Sequence, residues 1–321
     1  MAAPPTDPVS LLVYHPEGEA PAYAQQIRIP ADREVAVHTC TSEADATAVI
    51  DEVQVAYAWK LPAVLYGKAK RLQWLQAMGA GVDWVLVPEL PSRVVVTRVP
   101  GIFGPWMSEY VLAWCSWVTQ KTEVYRTAQR ERRWRGDVLP GRLRGKTLTL
   151  IGVGDIGREI ARVARAVGMH VIGVSRSGQR VPGVEHVYRP GYLTRALAAA
   201  DFVVLVLPLT KKTRGIIDAE ALAAMRPGAW LLNIGRGELV DERALVDALQ
   251  TRRIAGAILD VFPTEPLPAD HPLWGLDNVV ITPHVAGPST VEELAPLFND
   301  NLARWLRGRP LQHVVDRARG Y

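Results

Sequence analysis

Short apolar runs alternate with polar or amphipathic stretches over the first third of the chain. The runs predict strands at residues 9–14, 35–37, 53–58, 72–76 and 94–97, and the segments between them are compatible with helices. Strands that alternate with helices favour a parallel sheet covered by helices. Residues 1–99 are therefore predicted to form a small parallel α/β domain.

The same alternation resumes after residue 146. It predicts strands at residues 147–151, 171–174, 202–207, 230–234, 258–262 and 279–282, and helices at residues 219–225, 241–250 and 291–307. Residues 202–207 are all apolar, which indicates a strand buried on both faces. The last helix is expected to return to the first domain.

Residues 106–126 lie between the two alternating regions and predict one long helix. Aromatic and aliphatic residues occupy most of its faces, among them Trp106, Tyr110, Trp114 and Trp117. A helix that is apolar all round has to be buried, either in a core or against a second subunit.

A glycine-rich turn follows the strand at residues 147–151. Gly152, Gly154 and Gly157 form a GxGxxG pattern between that strand and an amphipathic segment, and a second strand completes the unit. In such a βαβ unit the first glycine permits the tight turn, the second lets the backbone approach a pyrophosphate, and the third lets the helix pack on the strand. The helix N-terminus offers N–H groups to the phosphates. Dinucleotide binding is therefore predicted.

The end of the second strand bears on which dinucleotide binds. A carboxylate there would bind the ribose 2′-hydroxyl of NAD, whereas arginine accommodates the 2′-phosphate of NADP. This chain has Ser175, Arg176 and Ser177 at that point, with Arg180 close behind. NADP(H) is therefore favoured and NAD(H) remains possible, although these residues could also be ordinary exposed loop residues.

Composition and charge suggest a soluble cytoplasmic protein. No apolar run in the 321 residues approaches the ~20 residues that span a bilayer, and residues 1–5 show no cationic segment ahead of an apolar one. Cys40 and Cys115 provide neither a disulfide framework nor a metal-binding spacing. No metal site and no membrane partner are expected.

Arginines are frequent between Arg126 and Arg144, a pattern that can indicate nucleic-acid binding. Glu123, Glu131 and Asp137 are interspersed in and next to this stretch, and no zinc-finger or RNA-binding signature accompanies it. The segment is interpreted as a solvated face or a subunit arm, and no nucleic-acid partner is expected.

Three chemically useful side chains follow the ends of predicted strands, namely Arg236, Glu265 and His284. Ligands of a doubly wound sheet bind outside the carboxyl ends of its strands, so these residues could converge on a nicotinamide ring. Taken singly, each has a structural alternative: a surface loop charge, a helix cap and a satisfied loop histidine.

The three residue types suit the reduction of a 2-keto acid. The guanidinium of Arg236 can bind the carboxylate and carbonyl of the substrate. His284 can donate a proton to the developing alkoxide near neutral pH. Glu265 can hydrogen-bond the other imidazole nitrogen, which orients the ring and favours its protonated form.

Several motifs together resemble the D-2-hydroxyacid dehydrogenase family over nearly the whole chain. Besides the GxGxxG unit and the Arg, Glu and His spacing, they are residues 78–83, 109–112, 207–210, 233–237, 259–262 and 283–287. The resemblance implies an α/β fold with two domains. A smaller, split, flavodoxin-like substrate domain would comprise residues 1–99 and 287–321, and a Rossmann domain residues 100–286. It also implies an active site in the cleft and a homodimer joined through the cofactor domains.

The resemblance further implies a set of binding residues. Gly79, Ala80 and Gly81 would hold the substrate carboxylate through backbone N–H groups, together with Arg236, and Asp260 would face the nicotinamide amide. The full set of cofactor-binding residues is Gly152, Gly154, Asp155, Ile156, Gly157, Ser175, Arg176, Ser177, Leu207, Pro208, Thr213, Asn233, Ile234, Gly235, Asp260, His284 and Gly287.

Ser175, Arg176 and Ser177 resemble the glyoxylate/hydroxypyruvate reductase branch, as do residues 57–62. Within that loop Trp59 is expected to line the substrate pocket and Lys60 to add positive charge, although either could be a surface or packing residue. The sequence thus predicts an NADP(H)-dependent oxidoreductase of small 2-keto acids with D specificity. The alternatives are an NAD-dependent dehydrogenase of bulkier acids, a sibling enzyme acting on formate or phosphite, and a nucleotide-sensing corepressor.

Overall fold

The computed structural model describes residues 8–321. The predicted absence of a signal peptide concerns residues 1–5 and lies outside the described residues. The described chain divides into two compact units, unit 1 (up to Ile102, and Ser289–Tyr321) and unit 2 (Phe103–Pro288).

Within residues 8–321 the structure contains twelve strands. They are β1 (Val9–Tyr14), β2 (Val35–Cys40), β3 (Val55–Ala58), β4 (Trp74–Ala77), β5 (Val95–Thr97), β6 (Thr147–Ile151), β7 (His170–Val174), β8 (His186–Tyr188), β9 (Phe202–Leu205), β10 (Trp230–Asn233), β11 (Gly256–Leu259) and β12 (Val279–Ile281).

The same residues form nine α-helices. They are α1 (Ala20–Gln25), α2 (Glu43–Val49), α3 (Phe103–Thr119), α4 (Thr122–Arg130), α5 (Asp155–Ala166), α6 (Leu193–Ala198), α7 (Ala219–Ala224), α8 (Glu242–Gln250) and α9 (Val291–Leu306). None of these helices is long and apolar enough to cross a membrane.

Every pair of neighbouring strands in the two sheets is parallel. Unit 1 contains a five-stranded sheet of order β2-β1-β3-β4-β5, which is the flavodoxin order. Unit 2 contains a seven-stranded sheet of order β12-β11-β10-β9-β6-β7-β8. Its six strands after β12 follow the Rossmann pattern, in which the order reverses between β6 and β9. The predicted fold class is confirmed.

The apolar runs of unit 2 are continuous because its sheet is covered on both faces. Along β9, Val203 and Leu205 belong to one buried cluster, while Phe202 and Val204 belong to another. Successive side chains of a strand point to opposite faces, so both sets have to be apolar.

Helix α9 completes the core of unit 1. Its Phe298 stacks on Tyr57 of β3 with ring centroids 4.1 Å apart, and lies 5.5 Å from the ring of Trp74 in β4. Asn301 of the same helix donates to the side-chain oxygen of Gln76 over 3.2 Å and is 2 % exposed. The predicted last helix therefore packs on the first sheet, as expected.

The predicted single helix over residues 106–126 is wrong. Helix α3 ends at Thr119, and α4 begins after Lys121, whose φ of 55° is left-handed and incompatible with a continuous helix. Nor is the apolar face wholly left for a second subunit, because Val111 and Cys115 are buried in the same cluster as Ile160 of α5.

Strand β8 and helix α6 were not predicted, and β11 lies earlier in the chain than predicted. Strand β8 is a three-residue edge strand with one aliphatic residue, Val187, so it leaves almost no apolar pattern. Strand β11 spans Gly256–Leu259, so it begins two residues and ends three residues before the predicted strand at residues 258–262.

Candidate active site

The turn between β6 and α5 depends on two glycines that pack against backbone. Gly152 has a φ of +108°, and a Cβ atom there would lie 2.7 Å from the carbonyl oxygen of Val206. A Cβ atom on Gly157 would lie 2.3 Å from the carbonyl oxygen of Gly152. Any larger residue at either position would displace main chain, so the turn can close only with glycine.

Gly154 differs from the other two glycines, because a Cβ atom there would meet nothing within 4 Å. It is the N-cap of α5 and has no side chain to take up the N–H groups of the first turn, to which Asp155 and Ile156 belong. By contrast, α7 and α8 are capped by the carboxylates of Asp218 and Asp241. The open space beside Gly154 and the N-terminus of α5 together form a cradle, which fits the diphosphate of a dinucleotide.

The segment after β7 contains the residues predicted to determine whether NADP(H) or NAD(H) binds. Arg176 and Ser177 are exposed, and the Ser175 hydroxyl accepts a hydrogen bond from the Gly178 N–H over 3.1 Å. A further arginine, missed by the sequence analysis, joins this loop, since Arg189 Nε donates to the Ser177 carbonyl over 3.3 Å. Arg189 comes directly after β8. A strand predicted there would have placed this arginine at the same edge of the sheet as the loop after β7.

The remaining residues predicted to bind the cofactor follow strand ends or pack beside them. Leu207 and Pro208 follow β9, and the Thr213 hydroxyl donates to the Pro208 carbonyl over 2.7 Å, which orders that turn. A Cβ atom on Gly287 would lie 3.2 Å from Cγ of Met107 in α3, so the chain passes close to this helix.

Arg236 stands in a turn shaped by Asn233, the last residue of β10. The Asn233 amide donates to the Arg236 carbonyl over 2.8 Å and accepts from the Gly235 N–H over 3.2 Å. Asn233 is 1 % exposed, so these bonds are shielded from water. The Arg236 guanidinium donates to the Gly235 carbonyl over 2.7 Å and is partly accessible. Ile234 is buried beside them.

The turn that carries Arg236 packs directly on the segment that leads to Glu265. A Cβ atom on Gly237 would lie 2.0 Å from the backbone carbon of Phe262, so only glycine fits there. The Phe262 N–H donates to Oε1 of Glu265 over 3.1 Å. Two predicted catalytic residues are thus held on adjoining segments.

Glu265 and His284 form a hydrogen-bonded pair. Oε2 of Glu265 lies 2.9 Å from Nδ1 of His284, and the two side chains are 26 % and 34 % exposed. A carboxylate can only accept, so Nδ1 carries the proton and Nε2 is the nitrogen able to exchange a proton with a ligand. The partial exposure leaves water a route for restoring that proton.

The backbone at His284 adopts a conformation that L-residues rarely occupy, with a φ of 56°. Asp260 holds it there: its carbonyl accepts from the His284 N–H over 2.8 Å, and its carboxylate accepts from the N–H groups of Val285 and Ala286, each over 2.9 Å. Asp260 is 1 % exposed. Its described bonds hold the histidine loop, and its predicted contact with a nicotinamide amide stays a prediction.

Two further residues, missed by the sequence analysis as site residues, complete this arrangement. The Thr282 hydroxyl donates to Oδ1 of Asp260 over 2.5 Å, and the Tyr110 hydroxyl lies 2.7 Å from the Thr282 hydroxyl. Burial raises the pKa of Tyr110, with a smaller opposing effect from its hydrogen bond to Thr282. Tyr110 and Thr282 are 172 residues apart in the chain, and no sequence pattern predicts their contact.

The residues predicted to bind substrate in unit 1 follow the neighbouring strands β3 and β4. The ring of Trp59 covers Gly79, since a Cβ atom there would lie 3.0 Å from Cζ3 of the indole. Nζ of Lys60 lies 5.3 Å from the centroid of that ring, a cation–π distance. Ala80 and Gly81 continue the same loop, and the roles of all five residues stay predictions.

Comparison with known proteins agrees with this geometry. Residues 112–286 match the family model described as the NAD binding domain of the D-isomer specific 2-hydroxyacid dehydrogenases. The chain belongs to this family. The predicted family and the predicted NAD(P)-dependent oxidoreductase class are confirmed.

Relatives from the D-isomer specific 2-hydroxyacid dehydrogenase family cover most of the chain. Glyoxylate/hydroxypyruvate reductase A of Serratia proteamaculans is 31 % identical over 273 residues, which is 83 % of this chain and 87 % of the relative. A family protein from Aeromonas salmonicida superimposes with a TM-score of 0.87 at 36 % identity, covering 97 % of this chain and 100 % of the other.

A third member of the family has been solved with ligands. It is an NADPH-dependent glyoxylate/hydroxypyruvate reductase from Sinorhizobium meliloti in complex with NADP and sulfate. It superimposes with a TM-score of 0.86 at 33 % identity, covering 98 % of this chain and 100 % of the other.

Gly154 and Gly157 differ in what surrounds them, so replacing each with alanine should cause a different defect, one in dinucleotide binding and one in stability. Gly154→Ala is expected to leave thermal stability unchanged but to weaken the binding of reduced dinucleotides about tenfold, because the new methyl group enters the cradle. Gly157→Ala is expected to lower the free energy of unfolding by about 1–3 kcal/mol, because its methyl group meets backbone. Thermal unfolding and fluorescence titration measure both effects.

Gly228→Ala provides a matched control, since Gly228 also has nothing within 4 Å of its added Cβ but lies away from the glycine-rich turn. Equal dinucleotide affinity in wild type and Gly154→Ala would contradict the assignment of the cradle.

Proposed function

We propose that this chain is an NADPH-dependent reductase of small 2-keto acids of the glyoxylate and hydroxypyruvate type, forming D-2-hydroxy acids. The observation that carries the proposal is the 2.9 Å contact between Glu265 and His284, held on a segment that adjoins the Arg236 turn. A proton donor (His284), the carboxylate that orients it (Glu265) and a guanidinium (Arg236) are therefore all at the carboxyl edge of one sheet.

Arg236 has the role of binding the substrate. Its planar guanidinium can take the carboxylate and the carbonyl oxygen of a 2-keto acid together, which fixes the orientation of the carbonyl carbon. Asn233 keeps the Arg236 backbone in place. The reduced cofactor, when bound, supplies the hydride for this carbonyl carbon.

His284 has the role of acid. Its Nε2 proton passes to the carbonyl oxygen as negative charge develops there, which leaves the imidazole neutral with its remaining proton on Nδ1. Glu265 accepts from Nδ1 and keeps the ring in one tautomer and one orientation. In the reverse direction the same nitrogen accepts the proton of the 2-hydroxy acid.

The choice of NADPH rests on the loop after β7 and on the solved relatives. Arg176 and Arg189 bring two guanidinium groups to a loop that also presents the hydroxyls of Ser175 and Ser177. A 2′-phosphate is recognised by such cations and hydroxyls, whereas a carboxylate in their place would repel it. The Sinorhizobium meliloti relative, with the same fold, binds NADP.

The residues of unit 1 are proposed to complete substrate binding. The backbone N–H groups of Gly79, Ala80 and Gly81 would bind the substrate carboxylate, and the indole of Trp59 over Gly79 would limit the size of the 2-keto side chain. Lys60, held near that indole, would add positive charge.

Initial-rate oxidation of NADPH with glyoxylate, hydroxypyruvate, pyruvate and phenylpyruvate tests the reaction. We expect turnover with glyoxylate and hydroxypyruvate, and at least a hundredfold loss of kcat in His284→Ala, because general acid catalysis contributes about that much. Chiral chromatography of the glycerate formed should show the D isomer. Glu238→Ala is the control, since this carboxylate lies two residues beyond Arg236 and pairs with Arg214.

Absence of turnover with every keto acid, together with tight dinucleotide binding, would overturn the reductase proposal and favour a nucleotide-sensing protein. Turnover confined to phenylpyruvate would overturn the substrate class while leaving the reaction type intact.

Cofactor preference is tested by titrating the protein with NADPH and NADH and following protein fluorescence. Arg176→Asp is expected to weaken NADPH binding about tenfold or more, the effect of losing a charge-assisted hydrogen bond, while NADH affinity changes less than about twofold. Arg243→Asp, which changes another exposed arginine, on α8, should change neither affinity. A preference for NADH in the wild-type protein would contradict this part of the proposal.

We also propose that the chain forms a homodimer through unit 2. The segment between α4 and β6 carries Trp134 and Leu139, which are 97 % and 79 % exposed, and Trp106 of α3 is 42 % exposed. Large side chains so fully exposed on a segment without regular structure are typical of an arm that packs on a second copy.

The Trp134→Ser, Leu139→Ser double variant tests the dimer by light scattering after size exclusion. Wild type is expected at twice the 35.3 kDa chain mass, and the double variant at the chain mass with self-association at least a hundredfold weaker. Trp274→Ser, which removes another half-exposed tryptophan of unit 2, should stay dimeric. A dimeric double variant would place the interface elsewhere.

A further inference from the structure

Tyr110, a side chain to which no site role was assigned from the sequence, is connected to the proposed catalytic histidine by hydrogen bonds. Tyr110 of α3 contacts Thr282, Thr282 contacts Asp260, and Asp260 binds the backbone on both sides of His284. We propose that Tyr110 is a positioning residue for His284, acting through Thr282 and Asp260. The proposal rests on the proposed function only for its kinetic test.

The direction of each hydrogen bond follows from the chemistry of the groups. Asp260 receives two backbone N–H groups and the Thr282 hydroxyl, and this set of donors suits the ionised carboxylate, which can only accept. The single hydroxyl proton of Thr282 is therefore used toward Asp260, over 2.5 Å. Tyr110 must then be the donor in its 2.7 Å contact with Thr282. Without that donor, the Thr282 hydroxyl would be held by its bond to Asp260 alone.

The histidine loop depends on this orientation because its backbone is strained. His284 has a φ of 56°, a left-handed conformation that is unfavourable for a residue with a side chain. Three consecutive N–H groups, at residues 284, 285 and 286, turn toward Asp260 and offset that cost. The carboxylate of Asp260 can receive the N–H groups of residues 285 and 286 only while it keeps one orientation, and the Thr282 hydroxyl, which donates to Oδ1, helps to fix that orientation.

Helix α3 holds the Tyr110 ring in place. The neighbouring Val111 is 1 % exposed in the cluster shared with α5, and the ring of Trp114 meets the Tyr110 ring edge to face at 6.0 Å. The tyrosine therefore offers a fixed donor, and little entropy is lost when its hydrogen bond forms. A hydrogen-bonded chain of this kind links the packing of a helix to the placement of an imidazole.

Steady-state kinetics of Tyr110→Phe with NADPH and glyoxylate test the proposal. We expect kcat to fall about fivefold, the rate equivalent of one neutral hydrogen bond, while KM for glyoxylate and Kd for NADPH change less than about twofold. Tyr125→Phe is the matched control, since its hydroxyl donates to the Val138 carbonyl over 2.7 Å in the same unit but away from His284. It should leave kcat unchanged.

The variant Thr282→Val tests whether Tyr110 acts on His284 through Thr282. If Tyr110 acts through Thr282, the double variant Tyr110→Phe, Thr282→Val should be no slower than Thr282→Val alone, because the single change already breaks the chain. Effects that multiply would show that Tyr110 acts independently of Thr282 and would overturn the proposal. So would a Tyr110→Phe protein with wild-type kcat.

A second measurement does not depend on turnover. In protein labelled with 15N-histidine, the imidazole resonances of His284, assigned from their loss in His284→Gln, should shift in Tyr110→Phe and stay in place in Tyr125→Phe. Unchanged His284 resonances would overturn the proposal. Shifted resonances in a protein that reduces no keto acid would uphold the positioning role and overturn the reductase function instead.

Discussion

Parallel pairing is the constraint on which unit 2 depends. Parallel strands all end at the same edge of a sheet, and each must be connected to the next by a crossover that usually carries a helix. The seven strands of unit 2 therefore place the glycine-rich turn after β6, the Arg236 turn after β10 and the His284 loop after β12 along one edge. Residues far apart in the chain become neighbours because of the sheet.

Within that edge, the exact placement of side chains depends on buried polar groups that have to be satisfied. Asn233 and Asp260 are each 1 % exposed, and each finds its hydrogen-bond partners in the turn beside it. An unpaired buried amide or carboxylate would cost more than the hydrogen bonds provide, so the turns must fold over these residues. The side chains proposed to be catalytic are oriented as a consequence of this requirement.

The sequence predicts the sheets well because buried strands leave long apolar runs, as at β6 and β9. It predicts the glycine-rich turn and the proximity of Glu265 and His284 because their residue types and spacing are typical of dinucleotide binding and of proton transfer. It misses β8, whose single aliphatic residue leaves no pattern, and the break at Lys121, since no breaker residue interrupts the apolar helix. It also misses Tyr110 and Arg189 as site residues, because only tertiary contact brings them to Thr282 and Ser177.

Unit 1 is assembled from both ends of the chain, and this imposes an order on its folding during synthesis. Strands β3 and β4 leave the ribosome early, but α9, whose Phe298 covers Tyr57 and Trp74, follows only after the whole of unit 2. The aromatic face of the first sheet stays uncovered until then, and chaperones bind exposed apolar surface of this kind. Unit 2, which is continuous in sequence, can finish folding before α9 is synthesised.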